Sequence, residues 1–123
     1  MLLGGGIKIS KSEKKLEKLL KKLDVPIVTT WSGVDLLDHN NKNYIGNVGV
    51  YGSRSANFTV QNSDLLLCLG SRLDTRITGG VPSSFARKSK IVVVDIDKNE
   101  LSKQRGLKIH LKINQNLNIF LDD

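Results

Sequence analysis

The chain has 123 residues, of which 39% are hydrophobic and 25% are charged, and its formal net charge is +7. This composition excludes a disordered chain and is typical of one globular domain with its own core. No apolar stretch reaches the roughly 20 residues of a membrane helix, and the glycine-rich start is too short for a signal peptide. We therefore expect a cytoplasmic protein that does not bind membranes.

The first predicted helix begins at a capping box and carries one apolar stripe. Ser10 and Glu13 have the spacing at which a serine side chain caps a helix N-terminus. Four leucines follow at i, i+3, i+4 and i+7, namely Leu16, Leu19, Leu20 and Leu23. The Asp-Val-Pro sequence at 24–26 ends the helix, and the β-branched residues at 27–30 predict a short strand.

Residues 11–23 also carry six lysines and two glutamates, which is a large part of the net charge. Lysines on the solvated face of a helix usually maintain solubility. Aromatic residues make up only 5% of the chain, so the sequence offers no platform for stacking single-stranded bases. Nucleic-acid binding therefore stays a minor hypothesis.

Two charge-free runs predict the centre of a sheet. Residues 65–69 and 91–94 are apolar throughout, as in strands buried on both faces. Cys68, the single cysteine, falls in the first run and is expected to be a small buried hydrophobic residue rather than a reactive thiol. One cysteine cannot form an internal disulfide.

The remaining segments complete an alternating pattern. Residues 31–53, rich in glycine and asparagine, predict a long connection with short helical pieces, and residues 54–62 predict a second helix. A helical turn, an edge strand and a last helix are expected at 98–103, 109–113 and 116–121. Strands that alternate with helices predict an α/β fold with a doubly wound, Rossmann-like parallel sheet of about six strands in a single domain.

A loop with two arginines follows the first charge-free run. Gly70 allows a tight turn at the carboxyl end of the strand, where ligands sit in open α/β sheets. Arg72 and Arg76 carry permanent positive charge to that edge, which suits a phosphate or pyrophosphate. Alternatively, Asp74 pairs with one of the arginines at the surface and contributes little.

Three further segments are weaker candidates for the same ligand. The glycines at 4–6 would let backbone amides approach a phosphate at a helix N-terminus. Asp95 or Asp97 would accept a hydrogen bond from a ribose hydroxyl, or Asp97 would cap a helix over Glu100. The glycine-rich segment 45–52 would line an extended cofactor, or serve turn geometry alone.

Motifs for self-sufficient catalysis do not stand out. The sequence shows no Ser/His/Asp arrangement, no phosphate-binding G-x-x-x-x-G-K-[ST] motif, and no cysteine and histidine spacing typical of a metal site. His39 and His110 lie far apart in the chain. We therefore predict no catalytic residue and no metal ligand.

In order along the chain, these pieces resemble the central domain of thiamine-diphosphate-dependent enzymes, most of all the acetolactate synthase large, catalytic subunit. The family has a glycine-rich turn, a proline, a Val-Thr-Thr-like strand, a glycine-spaced segment, an arginine loop reading Gly-Ala-Arg-Phe-Asp-Asp-Arg-Val-Thr-Gly, and a strand ending in Asp-Ile-Asp. The similar segments here are Gly4–Gly6, Pro26, Val28–Thr30, Ile45–Gly52 with Asp64, Gly70–Gly79 and Asp95–Asp97.

The resemblance implies a non-catalytic central domain spanning 1–123, isolated from the domains that flank it in the parent enzyme. In that family the flanking domains hold thiamine diphosphate and Mg²⁺, the parent decarboxylates and joins 2-oxo acids, and it is a homo-oligomer. The central domain of acetolactate synthase holds FAD, and other members bind ADP there, or nothing. The contacts that the resemblance implies are Gly4, Gly5, Gly6, Thr29, Thr30, Gly49, Val50, Tyr51, Gly70, Ser71, Arg72, Asp74, Arg76, Asp95 and Ile96.

The sequence departs from flavin-binding members of the family at two places, so the identity of the ligand is not decided by the resemblance. Flavin-binding members usually have Gly-Asp where this chain has Ile113-Asn114, and a histidine where it has Tyr51. FAD, ADP and an empty site therefore all stay as alternatives for a central domain. Two other functions stay open as well: a stand-alone nucleotide sensor that uses the same site, and a basic nucleic-acid-binding protein.

Overall fold

Six parallel strands form one sheet in the computed structural model, which describes residues 1–103 and 105–122. Each pair of neighbouring strands is parallel. The strands are β1 (Leu2–Leu3), β2 (Ile27–Thr29), β3 (Tyr44–Asn47), β4 (Leu65–Leu69), β5 (Lys90–Asp95) and β6 (Leu111–Asn114). Their order across the sheet is β3-β2-β1-β4-β5-β6.

Helices connect the strands within the same described ranges. They are α1 (Gly6–Ile9), α2 (Glu13–Lys22), α3 (Arg54–Gln61), α4 (Thr75–Thr78), α5 (Lys98–Ser102) and α6 (Leu117–Phe120), with 3-10 turns at Trp31–Gly33 and Pro82–Ser84. None of the helices described is long and apolar enough to cross a membrane.

The strand order reverses between β1 and β4. The chain first builds outward from β1 to β3, then returns to the other side of β1 and builds outward to β6. This confirms the predicted α/β fold with a doubly wound parallel sheet. At such a reversal the connections diverge above and below the sheet, which leaves a crevice at the carboxyl ends of the two strands.

The core consists of two apolar clusters, one on each face of the sheet. Leu2 and Cys68 belong to one cluster, and their strand neighbours Leu3 and Leu69 belong to the other. This alternation explains the charge-free runs, because successive side chains of a central strand enter opposite clusters. The buried runs 65–69 and 91–94 are confirmed as strands, although Leu65 at the start of β4 is exposed.

The first helix departs from the prediction at its N-terminus. A one-turn helix, α1, precedes it, and α2 begins at Glu13 with Ser12 at its N-cap, so the predicted capping box at Ser10 was wrong. The Ser10 hydroxyl instead donates to the Ile7 carbonyl at 3.0 Å and lies 2.6 Å from the Ser12 hydroxyl. The serine therefore serves the end of α1 and not the start of α2. The leucine stripe and the end of the helix before residues 24–26 are as predicted.

Residues 31–53 contain a strand that sequence reasoning missed. A 3-10 turn at Trp31–Gly33 fits the predicted short helical pieces, but Tyr44–Asn47 pairs with β2 as the edge strand β3. Every residue of β3 is only partly buried, and the pairing shifts register between Ile27 and Val28. A strand with a glycine and an asparagine among four residues carries neither an apolar run nor a strict alternation.

Candidate functional site

A cleft of about 1090 Å³ opens at the carboxyl ends of the strands, across the reversal of strand order. It is lined by residues that follow β1, β2, β4 and β5, and by the segment after β3. Most of the predicted site residues come together here, namely Gly5, Gly6, Thr30, Val50, Tyr51, Gly70, Ser71, Arg72, Asp74, Arg76, Asp95 and Ile96. Their role as ligand contacts stays a prediction.

The floor of the cleft is a close crossing of two backbone turns. The Gly4 amide donates to the Leu69 carbonyl at 2.9 Å, and the Gly6 amide donates to the Gly70 carbonyl at 3.0 Å. Gly70 has a φ of 65°, and a Cβ on it would lie 2.8 Å from the Gly6 Cα. A side chain at either turn would push the turns apart, so these glycines shape the floor.

The sequence predicted that the turn at 4–6 leads into a capped helix, but the helix that follows it is short and has no side-chain cap. α1 lasts a single turn, and its N-cap Gly5 provides no side-chain hydrogen bond. The dipole of so short a helix offers little to an anion, because the effect depends on aligned peptide units. The arginine loop therefore offers an anion in this cleft a stronger attraction than the N-terminus of α1 does.

The arginine loop presents its charged groups at the rim of the cleft. Arg72 is 61% exposed and its Nη2 lies 3.6 Å from Asp74 Oδ2, a long ion pair at the surface that contributes little to stability. Asp74 also caps α4, because its Oδ1 accepts a hydrogen bond from the Arg76 amide at 3.1 Å. The carboxylate therefore orders the loop, and both arginines are among the residues that line the cleft.

Apolar side chains form the sides of the cleft. Trp31 is 65% exposed and Tyr51 is 80% exposed, and Ile9, Val50 and Ile96 are also largely exposed. Large exposed apolar groups gathered around one cleft mark a site where a ligand or a partner binds. Sequence reasoning had included Val50, Tyr51 and Ile96 but had missed Trp31 and Ile9.

Three predicted residues do not line the cleft, and each has a supporting role next to it. A Cβ on Gly4 would lie 2.2 Å from the Gly70 carbonyl oxygen, so Gly4 permits the crossing beneath the floor. Thr29 is fully buried and its hydroxyl donates to Asn47 Oδ1 at 2.7 Å. Gly49 packs against the Arg76 carbonyl, and the next amide, that of Val50, donates to the same carbonyl at 2.9 Å.

Two carboxylates lie at the carboxyl end of β5, on the side of the cleft next to the arginine loop. Asp97 caps α5 by accepting hydrogen bonds from the amides of Asn99 at 2.8 Å and Glu100 at 3.2 Å, as one alternative from the sequence predicted. Asp95 accepts from the Asp97 amide at 2.9 Å and lines the cleft. Both aspartates line the cleft, but Asp97 already accepts two backbone hydrogen bonds and Asp95 accepts one, so Asp95 has the greater remaining capacity to accept from a ribose hydroxyl.

Several further lining residues are not among the predicted ligand contacts, although Asp97 had been considered as an alternative to Asp95. They come from α1, from the 3-10 turn after β2, and from elements after β4, β5 and β6, namely Ile9, Ser10, Trp31, Ser32, Thr75, Ile77, Asp97, Glu100, Asn116 and Leu117. Trp31 was the most accessible of them to reasoning, because it is the only tryptophan and lies just past a predicted strand end. Thr75, Ile77 and Asp97 lie within segments already singled out in the sequence, and the others depend on how distant elements pack.

Groups that could bind a metal ion do not cluster in the described part of the fold. Among residues 1–103 and 105–122, no three His, Cys, Asp or Glu side chains come close enough to hold a metal ion. Cys68 is fully buried, and burial raises the pKa of its thiol to about 12. The buried, unreactive interpretation of this cysteine agrees with that environment.

Comparison with known proteins decides the family. The family model described as "Thiamine pyrophosphate enzyme, central domain" matches residues 1–123. The chain belongs to this family. The resemblance seen in the sequence is thereby confirmed, and the doubly wound domain with its cleft is the central domain of a thiamine pyrophosphate enzyme.

The individual relatives are named as acetolactate synthases. The chain is 38% identical over 109 residues to the probable acetolactate synthase large subunit of Methanococcus aeolicus, covering 89% of this chain and 18% of that protein. It is 31% identical over 121 residues to the acetolactate synthase isozyme 2 large subunit of Escherichia coli K12, covering 98% of this chain and 22% of that protein. It thus spans about a fifth of the length of these relatives.

A plant relative extends the same pattern. The probable acetolactate synthase 2 of Oryza sativa subsp. japonica, a chloroplastic protein, is 38% identical over 105 residues, which cover 85% of this chain and 15% of that protein. Archaeal, bacterial and plant proteins of one name therefore all match the same domain.

Proposed function

We propose that this domain holds an adenine dinucleotide or nucleotide, FAD or ADP, as part of an acetolactate synthase-like enzyme. The observation that carries the proposal is the position of Arg72 and Arg76 on the rim of a large cleft at the reversal of strand order. Two permanent cations above a floor of small residues suit a pyrophosphate. The names of the relatives support the choice of parent enzyme.

The cleft fits the chemical parts of such a ligand. Trp31 and Tyr51 offer flat aromatic faces for an adenine or isoalloxazine ring, and Asp95 offers an acceptor for ribose hydroxyls. When bound, FAD would serve here to organise the domain, since the family resemblance implies that its redox state does not change in the net reaction. The residues of this chain would bind and orient the ligand.

Asn114 bears on the choice between FAD and ADP. Its side-chain amide donates to the backbone carbonyls of Asp95 at 3.1 Å and Ile96 at 2.8 Å. An aspartate, the usual residue of flavin-binding members, cannot donate these bonds when ionised. In this chain the position therefore fixes the backbone after β5 in a way that an ionised aspartate could not, so ADP is to be tested beside FAD.

The wider role follows from the parent enzyme. We propose that flanking domains bind thiamine diphosphate and Mg²⁺ and carry out decarboxylation and carboligation of 2-oxo acids, with residues 1–123 joining them as one structural unit. We place the parent in the cytoplasm as a homo-oligomer. No observation favours the stand-alone sensor or the nucleic-acid-binding protein over this function.

The test is a calorimetric titration of arginine variants with ADP and FAD. We expect Arg72→Ala and Arg76→Ala each to weaken binding by about ten- to hundredfold, because each removes a charge-assisted hydrogen bond to phosphate. Arg87→Ala is the matched control. Arg87 is exposed and precedes β5, so it lies near the amino ends of the strands, away from the cleft at their carboxyl ends. Equal affinities for all three variants and the unmodified domain would exclude the arginine site.

A further inference from the structure

Arg105 connects two sides of the cleft without lining it. Its Nη1 donates to the Arg72 carbonyl at 2.7 Å, and its Nη2 donates to Glu100 Oε2 at 2.5 Å. The side chains of Arg105 and Glu100 are only 26% and 14% exposed. One guanidinium thus joins α5, which follows β5, to the loop that follows β4. We call this pair of contacts the Arg105 bridge.

The carbonyl that the bridge holds belongs to a strained part of the loop. Leu73, next after Arg72, has a φ of 52°, in the left-handed region that branched side chains seldom adopt. Its side chain is buried at 2% exposure, and its amide donates to Ser71 Oγ at 3.3 Å. Such a conformation persists only where neighbouring contacts hold it. The Arg105 bridge supplies one of those contacts.

We propose that Arg105 is a positioning residue for the nucleotide, because its bridge fixes the backbone from which the Arg72 side chain enters the cleft. This inference rests on the proposed nucleotide site. Ligand affinity then depends on a residue that makes no contact with the ligand, in addition to the arginines that do.

The charge of Glu100 keeps the bridge intact near neutral pH. Hydrogen bonds from Lys103 and from Arg105 hold the pKa of the Glu100 carboxyl below its usual range, so it is ionised there. Arginine suits the position because its planar guanidinium can donate to a carboxylate and a carbonyl in fixed directions at once. Lysine is less suited, since its ammonium is a compact point charge on a flexible stem.

A double-mutant cycle tests the bridge, with ADP and FAD as the probes in calorimetric titrations. We expect Arg105→Met to weaken binding by about tenfold, as for the loss of a contact that orders a charged ligand group. In the Arg72→Ala background, the same change should cause no further loss, because nothing remains to be positioned. Arg87→Met is the control for loss of a surface arginine. Arg105→Lys should lose less affinity than Arg105→Met, and it serves the test if Arg105→Met does not fold.

The outcomes separate the two proposals. If the unmodified domain binds neither ADP nor FAD, the proposed function fails and the bridge fails with it. If the unmodified domain binds, and Arg105→Met and Arg105→Lys both bind the ligand as tightly as the unmodified domain does, only the positioning role is overturned. Equal losses with and without Arg72 would also overturn it, since Arg105 would then act on the ligand by another route.

Discussion

Individual side chains divide the cleft into two electrostatic parts. Arg72 and Arg76 lie on the arginine loop, and Asp95 and Asp97 lie at the carboxyl end of β5. Phosphates are expected on the arginine side and ribose hydroxyls near Asp95, since each group then meets its complement. A nucleotide that adds a further phosphate next to the aspartates would be disfavoured by like charge.

Cys68 provides a residue-scale test of the sheet. Its thiol is fully buried between β1 and β5, and burial raises its pKa to about 12. Because the thiolate is the reactive form, we expect no reaction with a disulfide reagent in the folded domain at mildly alkaline pH. One thiol per chain should react once guanidinium unfolds it. Rapid labelling of the native domain, followed by absorbance, would contradict the buried position of β4.

At the scale of elements, the crossing of the turns after β1 and β4 positions the floor of the cleft. Gly70 there has a φ of 65°, and Gly79, the C-cap of α4, has a φ of 83°. They differ in surroundings, because a Cβ on Gly70 meets Gly6 at 2.8 Å whereas a Cβ on Gly79 meets nothing within 4 Å. Comparing the same substitution at Gly70 and at Gly79 therefore separates the cost of backbone strain from the cost of steric overlap.

Alanine substitutions at these glycines should therefore differ in cost. We expect Gly79→Ala to lower the free energy of unfolding by about 1–3 kcal/mol, because a φ of 83° with a ψ of -179° is a backbone conformation essentially reserved for glycine. Gly70→Ala should cost roughly 1–3 kcal/mol more than that, since overlap with the other turn is added. Urea unfolding monitored by circular dichroism measures both, with Gly80→Ala as a control in open space. Equal costs at positions 70 and 79 would mean that the two turns do not touch.

Strong patterns made the central elements predictable from the sequence. The leucine stripe of α2, of which Leu16 is buried, and the charge-free runs of β4 and β5, which are mostly buried, leave clear patterns, so these elements were predicted with nearly correct bounds. β3 has only partly buried residues at a sheet edge, and α1 is one turn long, so neither leaves a periodic pattern. The Ser10 capping box failed because its hydroxyl finds a nearer carbonyl acceptor.

The same limit applies to the candidate site. Residues at strand ends, such as Gly70 and Asp95, could be assigned to one edge because parallel strands all end there. Glu100 and Asn116 enter the cleft from α5 and the segment before α6, and Arg105 reaches the Arg72 carbonyl across 33 positions of sequence. Such contacts depend on packing between elements, which no local pattern encodes.

At the scale of the whole molecule, the cleft joins the two halves of the sheet. One half contributes the segments after β1, β2 and β3, and the other contributes those after β4, β5 and β6. A ligand that bridges both halves stabilises the folded state without affinity for the unfolded chain. The domain should therefore be more stable with its nucleotide than without it.

Titration calorimetry of the 123-residue chain with ADP and FAD tests the central claim most directly. The account predicts saturable binding of at least one of them, at one site per chain, together with an increase of about 2.7 kcal/mol in the free energy of unfolding at a hundredfold excess over the dissociation constant. A sample that unfolds cooperatively but shows neither binding heat nor stabilisation with either ligand would contradict it, and the cleft would then have only a structural role.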